Sequence, residues 1–211
     1  SREKPEHLAP GEVYRVRVRL NHISQVFPRG HRLRLALSTT YWPLAWPSPK
    51  SARLTVLAGG SALIVPVRTG SGHDEGLRPF ETPEGAEAAP RRLIEAGHHN
   101  WLIHRDLASD QSTLEVINDN GIVHLEDIDL EVENRAFEWY TSRGDDFLSA
   151  KGETRLIRGL RRGDWSIRTV ARTQLTATET SFRIAAELDA FEDGLRVFAR
   201  NWDVSIPRDF A

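Results

Sequence analysis

Runs of residues that alternate apolar side chains with arginine constrain the fold of this chain more than any other feature. Two such runs lie near the N-terminus, residues 13–21 and 32–38. Their apolar members are Tyr14, Val16, Val18 and Leu20 in the first run and Leu33, Leu35 and Leu37 in the second. Successive side chains of a strand point to opposite faces, so this period predicts two half-buried strands. The turn residues Pro28–Arg29–Gly30 between them favour antiparallel pairing.

The same alternation is longest near the C-terminus. Residues 165–175 and 182–190 alternate apolar or small side chains with arginine or glutamate, and residues 195–199 resume the pattern. Asp193–Gly194 provides the positive φ angles that a tight hairpin requires. The good helix formers within residues 181–191 leave a helix open as the alternative there. We predict three consecutive antiparallel strands.

Between these regions, residues 69–90 are rich in Gly, Pro, Glu and Ala and have little periodicity. This composition predicts a connector. Before it, shorter strands are predicted at residues 53–57 and 62–67. After it, strand-like runs recur at roughly 8–12 residue intervals, which is typical of antiparallel sheets. The prediction is therefore an all-β chain with units at residues 1–68 and 91–211, the second being a meander, a sandwich or a partly open barrel.

Composition excludes several function classes. Lys and Arg total 28 against 30 Asp and Glu, so no strong net charge attracts nucleic acid or an anionic membrane. No apolar run reaches the roughly 20 residues of a membrane helix. Cysteine is absent, which excludes disulfides and thiolate chemistry. Methionine is absent as well, and we expect the chain to be a piece of something longer and cytoplasmic.

A string of residues from Phe27 to Pro43 carries a family resemblance. It combines an apolar residue, the pair Gly30–His31, the arginine-alternating strand, small hydroxyl residues and a proline. The lead-in Leu8–Glu12 and the later Ser48–Pro49 fit the same pattern. Over residues 8–68 the chain resembles the C-terminal jelly-roll domain of X-prolyl dipeptidyl peptidases, cocaine esterase and α-amino-acid ester hydrolases.

The resemblance implies a fold and a role. Residues 1–68 would be the C-terminal part of a galactose-binding-like jelly-roll β-sandwich, and residues 91–211 would be a β extension of some bacterial members. The chain would be the non-catalytic accessory region of a serine hydrolase, either an acyl esterase or an enzyme like X-Pro dipeptidyl peptidase. Its partner would be the α/β-hydrolase domain of the parent chain, and a homo-oligomer is left open.

Candidate catalytic residues are not found. The nearest string to a nucleophile elbow is Thr69–His73, but its glycine spacing is wrong and it lies in the connector rather than between a strand and a helix. We therefore expect no catalytic triad in this chain and no cofactor.

Two clusters of charged residues have structural explanations. His98, His99, His104 and Asp106 are zinc-ligand types, but neighbouring strand residues point to opposite faces, so we expect no metal. Acidic residues within residues 126–133 alternate with Ile128, Leu130 and Val132, which predicts a strand with one wet face. We expect Arg155, Arg158, Arg161 and Arg162 to complement that acidic face.

The candidate cleft or interdomain surface consists of His31, Tyr41, Trp42 and Trp46. His31 follows the turn at Gly30, and we expect it to bond loop backbone. The aromatic residues lie in a segment stiffened by Pro43, Pro47 and Pro49, so they either pack on the sheet or the hydrolase domain or point outward. The packed arrangement is favoured. The alternative functions are a carbohydrate-binding module that stacks sugars on Tyr41, Trp42 and Trp46, and a protein-interaction module.

Overall fold

The computed structural model describes residues 6–68 and 75–209. Within these residues the chain forms eight β-strands and two short 3-10 helices. The strands are β1 Arg91–Glu95, β2 His98–Asp106, β3 Gln111–Leu125, β4 Leu130–Arg143, β5 Asp146–Arg162, β6 Trp165–Ala177, β7 Ser181–Glu192 and β8 Leu195–Pro207; the 3-10 helices are Ala58–Gly60 and Glu126–Ile128. The predicted all-β class is confirmed. None of the described helices is long and apolar enough to cross a membrane.

The eight strands form one antiparallel sheet. From β3 to β8 each strand pairs with the next along the chain, which makes a meander. β1 and β2 both pair with β3, with β2 beside residues 111–119 and β1 beside residues 122–125. They lie end to end at one edge of the sheet, and β8 forms the other edge.

Tight turns between long strands fix the register of the meander. Asp193 and Gly194 join β7 to β8 with φ angles of 47° and 79°, as the sequence predicts. Positive φ at both residues is the property of a type I′ hairpin turn, whose twist matches that of the strands. β7 covers Ser181–Glu192, so the helical alternative for this segment is wrong.

One side of the sheet is mainly apolar. The register brings Leu114, Tyr140, Leu175, Ile184 and Val204 into one row across β3 to β8, with Gly152 of β5 between them. We call this side the apolar face. It also includes Trp101, Ile103, Val116, Ala136, Leu156, Ala171, Ala186, Leu188, Phe198 and Trp202.

The opposite side, the charged face, is covered by ion pairs between strands. Arg135 of β4 contacts Glu95, Asp119 and Glu133 at 2.8, 3.1 and 2.8 Å. These contacts tie β1 and β3 to β4. Glu133 also receives Arg168 of β6 at 2.8 Å. The pKa of Glu133 is lowered although burial raises it, because both guanidinium groups favour the carboxylate.

The predicted acidic strand is partly confirmed. Arg161 binds both carboxylate oxygens of Glu131 at 2.7 and 2.8 Å. Glu126 and Asp127, however, lie in a 3-10 turn before β4 begins. The register places Arg158 on the apolar face, opposite Thr169, and Arg162 opposite Trp165. Their predicted role beside the acidic residues is wrong, because adjacent strand positions point to opposite faces.

A β-bulge in β3 lies where β1 ends and β2 begins. Gly121 has φ of 66°, and the register shifts between Asp119 and Ile122. A Cβ on Gly121 would lie 2.1 Å from the Glu95 carbonyl oxygen, and one on Gly97 would lie 2.2 Å from the Asp119 oxygen. Main chains therefore cross here at a distance that only glycine permits.

The N-terminal region differs from the prediction. The structure assigns no strand among residues 6–68, so the predicted strands at residues 13–21, 32–38, 53–57 and 62–67 are not formed. Val16, Val18, Leu33, Leu35 and Leu37 are all exposed. A strand needs hydrogen-bonded neighbours, and the alternating runs here have none. The partial jelly roll and the domain division at residues 69–90 stay predictions.

The accessible surface shows how much apolar area remains uncovered. The chain exposes 17985 Å². A compact protein of 23.9 kDa exposes only about 10,000 Å² by the usual scaling with mass. Both the N-terminal region and the sheet contribute exposed apolar side chains to this surface.

Candidate functional site: the Trp–Pro loop on the sheet

The candidate site is built around residues 41–47, which we call the Trp–Pro loop. The Ala45 N–H donates to the Tyr41 carbonyl oxygen at 2.8 Å, closing the loop through an isolated antiparallel bridge. Just before it, the Ser38 hydroxyl donates to the Thr40 carbonyl oxygen at 2.6 Å. The Trp42–Pro43 peptide bond is cis. The prolines keep this segment out of any sheet ladder, as the sequence predicts.

Two indoles of this loop pack on the apolar face. The ring centroids of Trp42 and Trp46 lie 4.8 Å apart at an interplanar angle of 83°. Trp42 makes a similar edge contact with Tyr140 of β4 at 5.9 Å, and Trp46 contacts Phe182 of β7 at 5.7 Å. Such edge-to-face pairs contribute roughly 0.5–1.5 kcal/mol each beyond the area that they bury. The loop therefore contacts the face across several strands.

Arg208 closes the other side of this contact. It is 5% exposed. Its guanidinium donates to the Thr178 carbonyl oxygen at 3.1 Å and to the Pro47 carbonyl oxygen, and it lies 4.9 Å from the Phe182 ring centroid. Burial lowers the pKa of Arg208. A cation held by two carbonyls and a ring joins the end of the sheet to the Trp–Pro loop.

Tyr140 is the polar group beneath the indoles. Burial, followed by the hydrogen bond that its hydroxyl donates to Glu138, raises the pKa of Tyr140 to about 12. The phenol is thus protonated at neutral pH, and it donates to the carboxylate. The buried Nε1 of Trp46 has no hydrogen-bond partner among the described residues.

The structure separates the predicted site residues. Trp42 and Trp46 lie together, half-buried against the sheet. Tyr41 points away and is 68% exposed. His31 is exposed at the turn closed by its own N–H, which donates to the Pro28 carbonyl oxygen at 3.1 Å. Gly30 has φ of 91° there, as the turn prediction requires.

Four residues of the site were missed by sequence reasoning: Tyr140, Gly152, Phe182 and Arg208. A glycine inside a strand pattern often marks a close approach, and Gly152 lies between Tyr140 and Trp46. That signal was available. Arg208 follows the last strand and resembles any surface arginine, so its burial had no signal in the sequence.

The histidine cluster does not converge. His98 and His99 pair with Asp119 and Asn118 on opposite faces of β3. His104 instead lies 2.7 Å from Glu115, and this hydrogen bond is the main reason that the pKa of Glu115 is lowered. The indole of Trp139 donates to the other oxygen of Glu115 at 3.0 Å. The string Thr69–His73 lies outside the described residues 6–68 and 75–209.

Aromatic edges, a buried guanidinium and main-chain carbonyls hold the Trp–Pro loop in one orientation. No described part of the loop brings a nucleophile within hydrogen-bond reach of a base, as covalent catalysis requires.

Comparison with known proteins agrees with this description. The family model described as the X-Pro dipeptidyl-peptidase C-terminal non-catalytic domain matches residues 1–103. No curated protein and no solved structure matches the chain. The matched residues include the whole Trp–Pro loop, β1 and most of β2. Residues 1–103 are therefore similar to the C-terminal non-catalytic domains of X-Pro dipeptidyl-peptidases.

Proposed function

We propose that the chain is the accessory region of a serine hydrolase, either an acyl esterase or an X-Pro dipeptidyl-peptidase-like enzyme. It packs on an α/β-hydrolase core and helps to shape the substrate cleft. The observation that carries the proposal is the Trp–Pro loop, which lies within the family-matched residues and is fixed by Tyr140, Phe182 and Arg208. A loop held by a sheet can form one wall of a cleft with little loss of entropy.

The exposed positions beside this loop provide the contact surface. Tyr41 is 68% exposed and lies next to the anchored Trp42. His31 and the apolar residues of 13–37 are also exposed in the same N-terminal region. Aromatic residues are enriched at the centres of protein interfaces, where their large surfaces are buried. Tyr41 and His31 are the residues that we assign to the hydrolase contact.

Sugar stacking is less well supported by the contacts. Stacking needs free ring faces, whereas Trp42 and Trp46 are in edge contact with each other and with sheet aromatics. The proposal includes a cytoplasmic location and leaves a homo-oligomer open.

The first test is the gene and the isolated chain. We expect the gene to encode, before Ser1, an α/β-hydrolase domain with serine, acid and histidine in that order. The isolated chain should hydrolyse neither short p-nitrophenyl esters nor X-Pro amides. Turnover that is lost on Ser71→Ala would refute the non-catalytic role, and a reading frame without a hydrolase domain would refute the partner.

The second test measures cleft shaping in the full-length parent. Tyr41→Ala should change KM, or the preference between short and long substrates, more than it changes the melting temperature. Phe80→Ala is the matched control, because Phe80 is also an exposed aromatic residue but lies in the connector, outside the proposed contact surface. Equal kinetics for both variants and the wild type would mean that the loop does not border the cleft.

A further inference from the structure

Strand β8 leaves one edge of the sheet open. Its inner side pairs with β7, and no described strand pairs with its outer side. Every residue of β8 is exposed except Trp202, which is half-buried. The opposite edge is divided between the shorter strands β1 and β2, which are separated by the close crossing at Gly97. A long open edge is a place where another chain can add a strand.

The outer side of β8 presents the main-chain groups of alternate residues. The N–H of Arg208 donates to the Thr180 carbonyl oxygen at 2.9 Å, so residue 208 faces β7. In an antiparallel ladder every second residue faces the same neighbour, and the residues between them face away. The residues of the paired stretch that face away from β7 are Ala199, Asn201, Asp203, Ser205 and Pro207. Pro207 fits this assignment, because proline has no N–H to donate and is tolerated at an edge.

Residues 198–206, which we call the β8 edge, form the regular part of this strand. The register with β7 shifts just before Phe198, and Pro207 ends the row of outward N–H groups. Edges that avoid pairing commonly carry lysine or other charges, but the β8 edge contains no lysine. Asp203 accepts a hydrogen bond from Arg183 at 2.8 Å, and the guanidinium of Arg200 lies 5.0 Å from the Trp202 ring centroid. Both of its charged side chains are therefore engaged within the chain.

The β8 edge is complementary to itself in antiparallel orientation. If the Trp202 residues of two copies lie opposite each other, every residue of 198–206 has a partner. The pairs are then Trp202 with Trp202, Arg200 with Val204, Phe198 with Ile206, Asn201 with Asp203, and Ala199 with Ser205. This register opposes no like charges, and it pairs aromatic side chains with each other and with a β-branched residue, which stabilises a sheet.

The neighbouring symmetric registers are less favourable. A register centred on Arg200 or on Asp203 places two like charges opposite each other. A register centred on Asn201 places Ser205 and Ile206 opposite the irregular residues before Phe198. The register centred on Trp202 is the one that uses the whole β8 edge.

We propose that the β8 edge is an interface between two copies of this chain, which pair about a twofold axis at Trp202 and form one continuous sheet. The outward N–H and C=O groups of residues 199, 201, 203 and 205 bond to the same groups of the second copy. A contact of this kind needs one surface only, because the same strand serves both copies. The dimer does not depend on the proposed hydrolase function, since only β8 takes part.

Single cysteines test the register, because the chain has no cysteine of its own. In the 211-residue chain, Trp202→Cys should give a disulfide-linked dimer under mild oxidation. Opposed residues that are not hydrogen-bonded have Cα atoms about 4.5 Å apart, which a disulfide can span. Val204→Cys is the matched control on the same face, because its two copies would lie about 14 Å apart. A mixture of Val204→Cys and Arg200→Cys chains should form the mixed disulfide.

Non-reducing gels and mass spectrometry identify these products. Absence of the linked dimer in Trp202→Cys, or equal linkage in Val204→Cys, overturns the pairing. If the N-terminal region of the same chain covers the β8 edge instead, residue 202 gives no linked dimer, and the proposal fails in the same way.

A second measurement removes one outward N–H. Asn201→Pro deletes a donor that faces away from β7, so the ladder with β7 stays intact. By analytical ultracentrifugation the wild type should be a dimer and Asn201→Pro a monomer with an unchanged circular dichroism spectrum. Asn201→Ala, which keeps the N–H, should remain a dimer. A monomeric wild type or a dimeric Asn201→Pro overturns the proposal, and the cysteine variants decide the question if Asn201→Pro does not fold.

Discussion

Residues 6–68 and residues 91–207 carry the same alternating pattern, yet only the second region forms strands. In the meander, each strand from β3 onward is paired with its neighbour in the chain, often through a turn of two residues such as Asp193–Gly194. In the first region the two clearest runs are ten residues apart, and the turn at Pro28–His31 between them does not bring them into pairing. The two-residue alternation of apolar and charged side chains therefore predicts which side chains share a face. Whether a segment forms a strand depends on the presence of a neighbouring strand to pair with.

The largest effect should come from the crossing at the β3 bulge. Gly121→Ala adds a methyl group 2.1 Å from a carbonyl oxygen at a φ of 66°, so we expect about 3 kcal/mol or more of lost unfolding free energy. Gly85→Ala in the connector is the control, because nothing lies within 4 Å of its Cβ position. Urea denaturation checks both. Equal small effects would mean that the meander does not depend on this crossing.

The next largest effect should be at the aromatic contacts between the Trp–Pro loop and the sheet. Trp42 is half-buried, so Trp42→Ala should cost about 2–3 kcal/mol, less than a fully buried indole. Tyr41→Ala should stay within about 0.5 kcal/mol. Thermal melts with and without soluble glycans check the pair. A glycan that raises the wild-type melting temperature but not that of Trp42→Ala would support sugar stacking instead.

A pH-dependent effect should mark Tyr140 beneath that contact. Its folded-state pKa of about 12 exceeds the ordinary tyrosine pKa of 10.0, so the folded chain holds the phenol proton more tightly than the unfolded chain does. This contribution to stability is complete below pH 10.0 and is lost as the pH rises through about 12. Between these values, the wild type should lose unfolding free energy more steeply than Tyr140→Phe. Parallel curves would show that the phenol is not buried under the Trp–Pro loop.

The smallest effect should be a gain at Gly152. A Cβ there would lie 3.7 Å from Tyr140 and 3.9 Å from Trp46, which is ordinary van der Waals contact. Gly152→Ala should stabilise the fold by about 0.4–1 kcal/mol, mainly by restricting the unfolded chain. Gly152→Val should lose that gain because its extra methyl groups meet the Trp46 ring. Calorimetry checks the order of the wild type and the two variants, and a destabilised alanine variant would show that the loop packs more tightly than described.

Sequence reasoning reached the antiparallel strands of the C-terminal region because their signals are local. The alternation of residues 165–190 and the turn at Asp193–Gly194 are set by near neighbours in the chain. It did not reach Arg208, which is 161 residues from Pro47 in the chain. Nor did it reach the shared pairing of β1 and β2 with β3, because distant contacts leave no period in the sequence.

For the same reason, the sequence predicted the loop of the candidate site but not the residues that the loop contacts. The prolines and indoles of residues 41–49 mark a stiff aromatic loop, and we expected Trp42 and Trp46 to pack. Their partners Tyr140 and Phe182 lie about 100 residues or more further along, where each is one apolar strand position among many. Identifying the partner of a packed residue requires the register between strands.

The position of β2 has a consequence for recombining this protein. The family match ends at Ile103, within the strand His98–Asp106, so the stretch that defines the family ends in the middle of a ladder with β3. A chimera joined at that point would take most of the edge strand from one parent and the strand that it pairs with from another. Exchange between relatives should therefore preserve cross-strand complementarity only when the crossover precedes residue 91 or follows residue 207. The segment that must be exchanged as a unit is therefore longer than the segment that sequence similarity identifies.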